Sequence, residues 1–159
     1  MSVLEMLTGH VFVEEKASRI YRHLANWAER ASWVGIAKFF RKEAAEELEH
    51  SNKFQDYVLI RGGAVPMDSL PSVPEIPKSP LEAFDIVRRA EIDVLNKILA
   101  ISAAAKDAND WDTVRFLHEF TEAGTKQIDF LRVCIDQLAR AENNAAALLF
   151  FDHEIGEGD

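Results

Sequence analysis

Glu47 and His50 form a Glu-x-x-His pair within a run of strong helix formers, residues 42–50. Residues three apart share one face of a helix. At about 100° per residue, apolar residues fall within roughly 20° of Glu47 on that face, namely Ile36, Phe40, Phe54 and Val58. An ionised carboxylate on a buried face is costly unless it is paired or binds a metal. The pair therefore indicates a candidate metal site in a helical core, although an isolated Glu-x-x-His motif is more often solvated.

Three further polar residues lie in phase with the apolar stripe of their own predicted helix: Glu14, Glu91 and Gln127. Three carboxylates and one imidazole that converge in a core would repel one another and lose their solvation. Divalent iron or a similar cation would resolve both problems, since carboxylate and imidazole suit it. Glu47 could then bridge two metals, with Glu14 and His50 completing one site and Glu91 the other. Two irons held in this way could pass electrons to oxygen or peroxide and leave as ferric ions.

Each of these residues also has an ordinary structural explanation. A single apparently buried Glu is more often a residue at the boundary of the core, and a Gln such as Gln127 can be buried by hydrogen bonds to the backbone. Tyr21 either bonds a carboxylate of the metal site or simply fills core, and Cys134 is interpreted as a small core residue. We predict surface positions for the remaining histidines: His10, His23, His118 and His153.

Helical periodicity and cap residues predict the elements that position these side chains. The first predicted helix covers about residues 3–30, and the second runs from a connection at 32–35 to about residue 60. The other three predicted helices cover about residues 80–106, 111–140 and 145–154. Ser79, Pro80 and Glu82 are typical of a helix start, and Gly62 is free to take the left-handed conformation that ends a helix.

The connections decide the predicted topology. Short connections make helices one and two, and three and four, antiparallel neighbours. The segment between helices two and three carries prolines that exclude helix and suggest an extended tether: Pro66, Pro71, Pro74, Pro77 and Pro80. That tether can span at most about 60 Å, whereas a helix of this length measures about 39 Å. The predicted fold class is therefore all-α: a four-helix bundle with one long crossover between helices two and three and a short C-terminal fifth helix.

Composition limits the classes of function. The 159 residues fit one domain that is long enough to bury a core. The formal net charge of −9 argues against nucleic acid as a partner and is compatible with attracting cations. A single cysteine excludes an intrachain disulfide, and neither a signal peptide nor a membrane span is predicted. The cytoplasm is the expected location.

The sequence resembles the ferritins over nearly the whole chain. The resemblance is carried by Glu14, Tyr21, the Glu47-Leu-Glu-His50 motif, Arg61-Gly62-Gly63, Glu91, Phe116-Leu117 and the tail at 147–154. It implies one ferritin-like domain over residues 1–159 and a ferroxidase centre, with Glu14, Glu47 and His50 at the first iron and Glu47 with Glu91 at the second. It also implies a 24-subunit shell that stores ferric mineral.

The departures from the ferritin pattern lie in helix four. Gly124 stands where ferritins commonly have a glutamine near the second iron, and Ala123, Lys126 and Gln127 stand where a third iron site would need acids. The second iron is therefore expected to be weakly held and a third site improbable. Only one Glu-x-x-His motif is present, and Leu48 occupies the position of a haem-ligating methionine, which favours a non-haem ferritin of bacterial type without haem.

The expected function is iron storage with ferroxidase activity. Gln127 is kept as a possible further metal ligand, and Fe(II), oxygen or peroxide and further copies of this chain are the expected partners. Two alternatives stay open: a cage subunit with little or no ferroxidase activity, motivated by helix four, and a di-iron oxidase that forms no cage. The fifth helix and the apolar residues expected on outer faces, Phe12, Ile20 and Trp27, favour assembly over the second alternative.

Overall fold

The computed structural model describes residues 1–73 and 75–158, and in this part of the chain it consists of five α-helices joined by turns and one long connection. The helices are α1 (Val3–Arg30), α2 (Val34–Ile60), α3 (Pro80–Asp107), α4 (Trp111–Ala141) and α5 (Ala145–Gly156). The predicted all-α fold is confirmed, and the predicted bounds differ by a residue or two. Differences of two residues occur at the start of α2, which already includes Val34 and Gly35, and at the end of α5, which continues to Gly156.

Local hydrogen bonds explain where the helices begin and end. Ser2 and Glu5 form a capping box at the start of α1, and the Ser79 hydroxyl accepts a hydrogen bond from the Glu82 backbone at the start of α3. Gly62, with a φ of 80°, ends α2 in the predicted left-handed conformation. These caps fix the lengths of the helices and hence the level at which each central side chain lies.

Two apolar clusters show the direction of each helix. The first cluster joins the second half of α1, the first half of α2, the start of α3, the second half of α4 and Phe151 of α5. The second cluster joins the first half of α1, the end of α2, the second half of α3 and the first half of α4. Therefore α1 and α4 run in one direction, and α2 and α3 run in the opposite direction.

The connection between α2 and α3 must return the chain along the bundle, because α2 and α3 run parallel. It runs from Arg61 to Ser79, and its described residues, 61–73 and 75–79, lie outside helix and strand. This confirms the predicted long crossover, while Pro74 lies outside the described residues. Within the chain as described, every helix is too short or too polar to cross a membrane.

The fifth helix docks onto the N-terminus of α2 through two glycines and one carboxylate. An added Cβ at Gly35 would lie 1.7 Å from the Asp152 carbonyl oxygen, and one at Gly156 would lie 2.6 Å from Gly35 Cα. The Asp152 carboxylate, buried to 8% exposure, accepts a hydrogen bond of 2.8 Å from the Ile36 backbone. A residue distant in sequence thus caps α2 and fixes α5.

The apolar residues expected on outer faces of α1 are only partly exposed. Phe12, Ile20 and Trp27 have intermediate exposure, and Ile20 and Trp27 pack against the first cluster. The prediction that they form a second, exposed apolar face was wrong in this respect. Two of the strongly exposed apolar side chains lie on α5, where Leu149 is 58% and Phe150 67% exposed.

Candidate metal centre

The central polar residues of the first three helices lie in the layer between the two apolar clusters. Glu14 on α1 is 1% exposed, Glu47 on α2 is 5% exposed and Glu91 on α3 is 5% exposed. The helical phase of each residue predicted this burial, and the burial is confirmed. On α4, Gln127, the fourth of the predicted polar residues, is half-buried rather than buried and therefore lies at the edge of this layer.

Glu14, Glu47 and His50 form the tightest group of potential ligands among the described residues. Their three ligand atoms lie within 4.8 Å of one another. His50 Nδ1 is 3.6 Å from Glu47 Oε2 and 3.9 Å from Glu14 Oε2. Glu14 Oε2 is fully buried and has no hydrogen-bond partner among the residues that the structure describes. An orphaned buried carboxylate oxygen needs a compensating charge or donor, which a divalent cation would supply.

Glu91 faces the same cavity from α3 but has a different partner. The Tyr21 hydroxyl donates a hydrogen bond of 2.7 Å to Glu91 Oε1. The cavity, of about 120 Å³, is lined by Glu91 together with Glu14, Glu47 and His50. The structure thus brings the four predicted residues to one cavity, and of the two interpretations of Tyr21 it favours the bond to a carboxylate of the site.

Gln127 is held by Tyr21 and by Glu43, a residue that sequence reasoning missed. Gln127 Nε2 lies 2.9 Å from Glu43 Oε2 and 3.3 Å from the Tyr21 hydroxyl oxygen. Because Tyr21 gives its proton to Glu91, its oxygen must accept from Gln127, which requires the amide nitrogen at this position. That nitrogen is a donor and is not available to a metal. A signal for Glu43 existed, since it precedes Glu47 by four residues on the same helix face.

The prediction that His10 lies on the surface was wrong. His10 is 2% exposed, its Nε2 lies 3.0 Å from Glu14 Oε1, and its ring centroid is 4.5 Å from that of Phe54. The same four-residue spacing, from His10 to Glu14, could have revealed the pair. Of the other histidines, His118 and His153 are exposed as predicted.

Burial dominates the electrostatics of this layer. It raises the pKa of Glu43 to about 8, with further increases from the charges of Glu46, Glu47 and Glu91. Burial also raises the pKa values of Glu14, Glu47 and Glu91, and the charge of one neighbouring carboxylate adds to each increase: Glu91 for Glu14, Glu14 for Glu47 and Glu47 for Glu91. Such carboxyls resist ionisation when they face one another alone. A bound cation would reverse this preference, and its binding would then release protons.

Burial opposes the protonation of His50, but the hydrogen bond and the charge of Glu47 outweigh it and raise the pKa of His50. Burial and the charge of Lys97 lower the pKa of His10 to about 4. The two histidines of the layer therefore differ: His50 is drawn towards the carboxylates, whereas His10 is neutral at pH 7.

Helix α4 forms one wall of the cavity. Its cavity-lining residues in the described chain are Phe120, Ala123, Gly124 and Gln127. A Cβ added at Gly124 would lie 3.4 Å from Leu95 Cδ1, an ordinary van der Waals distance, so close packing does not demand glycine there. The carboxylates of the cavity thus come from α1, α2 and α3.

Comparisons with known proteins agree with this architecture. The family model of the ferritin-like domain matches residues 4–141. A bacterial non-heme ferritin of Staphylococcus haemolyticus is 29% identical over 153 residues, covering 96% of this chain and 92% of that protein. Its counterpart in Staphylococcus aureus strain USA300 is 28% identical over 156 residues, covering 98% and 93%.

Solved structures show the same fold. An open-pore ferritin from the archaeon Archaeoglobus fulgidus superposes with a TM-score of 0.95 at 25% identity, covering 99% of this chain and 97% of that one. A form of the Archaeoglobus fulgidus ferritin that was engineered to be closed gives a TM-score of 0.94 at 27% identity, covering 99% and 96%.

Proposed function

The chain belongs to the ferritin family, and on that basis we propose that it oxidises Fe(II) to Fe(III) within the bundle and stores the ferric product in a cage built from copies of itself. Membership of the family supports iron storage. The ferroxidase step and the size of the cage, for which we propose 24 subunits, go beyond family membership. We place the protein in the cytoplasm, in keeping with its single cysteine.

The observation that carries the proposal is the orphaned oxygen of Glu14. Its Oε2 is buried without a hydrogen-bond partner in the described chain, and the ligand atoms of Glu47 and His50 lie within 4.8 Å. Two carboxylates and one imidazole are a donor set that suits divalent iron. In this proposal Glu14, Glu47 and His50 hold the first Fe(II), which is a substrate of the site.

A second Fe(II) is placed between Glu47 and Glu91, so that Glu47 bridges the pair. Tyr21 supports this position because its hydroxyl fixes Oε1 of Glu91 by a hydrogen bond. When both ions bind, the raised pKa values of the carboxyls mean that protons are released. The two Fe(II) ions together give two electrons, which with two protons reduce dioxygen to hydrogen peroxide or hydrogen peroxide to water, and both ions leave as Fe(III).

Assembly is supported by apolar surface that the single chain leaves open. Leu149 and Phe150 on α5 and Phe130 on α4 are 58%, 67% and 43% exposed. Large apolar side chains exposed together are typical of subunit contacts. A mass measurement in solution tests the cage directly, and a monomer or small oligomer would exclude it.

A cage subunit with weak ferroxidase activity is the second candidate, and it is favoured by the wall formed by α4. Gly124 offers no side chain to the second iron, and the amide nitrogen of Gln127 is occupied by Glu43 and Tyr21. The second iron would then depend on Glu47 and Glu91 alone. In this case the protein would assemble and accept iron, but it would oxidise Fe(II) little faster than oxygen does in buffer without protein.

Aerobic addition of Fe(II) to the wild type and to Glu47→Ala tests the proposed site. We expect the initial rate of ferric ion formation, followed by near-ultraviolet absorbance, to fall at least about tenfold in the variant, since even residues that only support metal ligands alter activity by this much. Glu49→Ala is the matched control, because Glu49 is an exposed glutamate on the same helix. Equal rates for wild type and Glu47→Ala would remove the catalytic assignment, and a wild-type rate no greater than that of buffer would favour the second candidate.

A further inference from the structure

His10 is a buried side chain that contacts Glu14 of the proposed iron site but is not one of its proposed ligands. It lies one turn before Glu14 on α1, at 2% exposure, in the second apolar cluster's half of the bundle. The ring packs against Phe54, with centroids 4.5 Å apart and planes inclined by 47°. Its Nε2 points at Glu14 Oε1 across 3.0 Å. A buried imidazole in apolar packing with one directed polar contact is well placed to orient its partner.

The chemistry of the pair fixes which atom carries the proton. The ring reaches Glu14 through Nε2, which lies 3.0 Å from Oε1. An ionised Glu14 oxygen can only accept, so Nε2 is the protonated nitrogen when Glu14 binds a cation. His10 then donates the hydrogen bond through its Nε2–H.

The two oxygens of Glu14 consequently have different environments. Oε1 is held by His10, whereas Oε2 is buried, lacks a hydrogen-bond partner among the described residues and lies 3.9 Å from His50 Nδ1. A carboxylate held by one oxygen cannot rotate freely, nor can it offer both oxygens equally to one ion. His10 itself is outside the group of close ligand atoms formed by Glu14, Glu47 and His50 in the described chain.

We propose that His10 is a positioning residue that anchors Glu14 by Oε1 and so directs Oε2 alone at the metal held with Glu47 and His50. The proposal rests on the proposed function, because it assumes that this group binds metal. The proposal about His10 adds that Glu14 binds the first metal through a single oxygen. It also adds that the affinity of the site for this metal depends on a hydrogen bond from a residue that is not a ligand. Outer contacts of this kind orient ligands and tune their basicity.

Zn(II) binding tests the role of His10 apart from oxidation, because Zn(II) has no redox chemistry of its own. We expect His10→Leu, which keeps an apolar side chain beside Phe54 but removes the donor, to weaken binding of the first Zn(II) about 10- to 100-fold in a titration of the assembled protein. His10→Gln places an amide N–H near the position of Nε2 and should restore affinity to within about threefold of wild type. His118→Leu, at an exposed histidine of α4, is the control and should not change affinity.

A double variant shows whether His10 acts through Glu14. In a Glu14→Gln background the change His10→Leu should have little further effect on Zn(II) affinity, since the ligand that His10 orients has gone. A purely structural role would instead lower the melting temperature in both backgrounds and would leave Zn(II) affinity unchanged. If His10→Leu does not fold, His10→Met carries the same test, because methionine adapts to irregular gaps in a core.

The outcomes separate the two proposals. Zn(II) affinity that is unchanged in His10→Leu, equally weak in His10→Gln, or reduced further in the double variant would overturn the role of His10. Affinity that is insensitive to Glu14→Gln would instead refute the metal assignment of the site, and the inference would fail with it. Loss in His10→Leu, recovery in His10→Gln and no added loss in the double variant would support both.

Discussion

Replacing Glu43 with glutamine should stabilise the metal-free protein at neutral pH and change its stability little near pH 4.5. The Glu43 side chain is nearly buried, and burial raises its pKa from 4.5 to about 8. A carboxyl whose pKa is higher in the folded chain binds its proton more tightly there than in the unfolded chain. As the pH rises from 4.5 towards 8, the unfolded chain ionises first, so the free energy of unfolding falls.

The size of the effect follows from the same pKa difference. Each pH unit in this interval lowers the free energy of unfolding by about 1.4 kcal/mol. Between pH 4.5 and 7.5 the loss from this one group reaches about 4 kcal/mol, or roughly 8 to 16 °C in melting temperature for a chain of this size. Glutamine does not titrate, so Glu43→Gln escapes the loss. It also keeps the contact with Gln127, since its carbonyl oxygen still accepts from the Gln127 amide.

Thermal denaturation in the presence of a chelator, at pH 4.5 and at pH 7.5, measures this difference. Glu49→Gln on the exposed side of α2 is the control and should match the wild type at both pH values. A Glu43→Gln protein that melts at the wild-type temperature at pH 7.5, or below it, would refute the reasoning. The carboxyl of Glu43 would then be either solvated or compensated by a contact that the present geometry does not contain.

Two glycine substitutions test packing around the site. Gly124→Ala should raise the melting temperature by about 2 to 4 °C, because alanine stabilises a helix by about 1 kcal/mol relative to glycine. The added Cβ would lie at an ordinary van der Waals distance of 3.4 Å from Leu95 Cδ1. A lower melting temperature would contradict this prediction. Gly35→Ala should destabilise by at least about 1 to 3 kcal/mol and expose α5 to limited proteolysis, because its Cβ would lie 1.7 Å from the Asp152 carbonyl oxygen. Gly9→Ala is the matched control, since nothing lies within 4 Å of an added Cβ there, and cleavage at equal rates in the two variants would show that the contact with α5 is unimportant.

Helical phase explains why much of the site could be predicted from the sequence. The position of a side chain around a long helix depends on residue number alone, so Glu14, Glu47 and Glu91 could be placed on buried faces without knowledge of their neighbours. The cap at Ser79 and the glycine at Gly62 act through contacts within a few residues. Interactions of this kind are local, and the sequence carries them directly.

Features that depend on several elements could not be predicted in the same way. Asp152 caps α2 from α5, and the two glycines that allow this contact are far apart in the sequence. Gln127 was expected to be buried like its counterparts on the other helices, but it is half-buried and turned towards Tyr21 and Glu43. Such contacts depend on the separation of the packed helices, which helical periodicity does not specify.

His10 and Glu43 are a different case, because each precedes a predicted ligand by four residues and shares its helix face. Both were missed because each helix was expected to contribute a single polar residue. A side chain within about 40° of a buried carboxylate is itself close to the buried face. A buried ligand therefore has neighbours on the buried face one turn before and one turn after it, and polar residues at those positions are candidates for the same site.

The distribution of charge around the cavity bears on the choice between an active and a weakly active ferritin. The resemblance leads one to expect acids on α4 at the positions of Ala123, Lys126 and Gln127, of which Ala123 and Gln127 line the cavity. Glu43 on α2 faces Gln127 and places a carboxylate at this edge of the cavity. The cavity therefore retains carboxyl groups that can bind cations when they release their protons, although α4 supplies none of them among the described lining residues. Weak oxidation, if found, would follow from where the carboxylates stand relative to the second iron and not from a shortage of them.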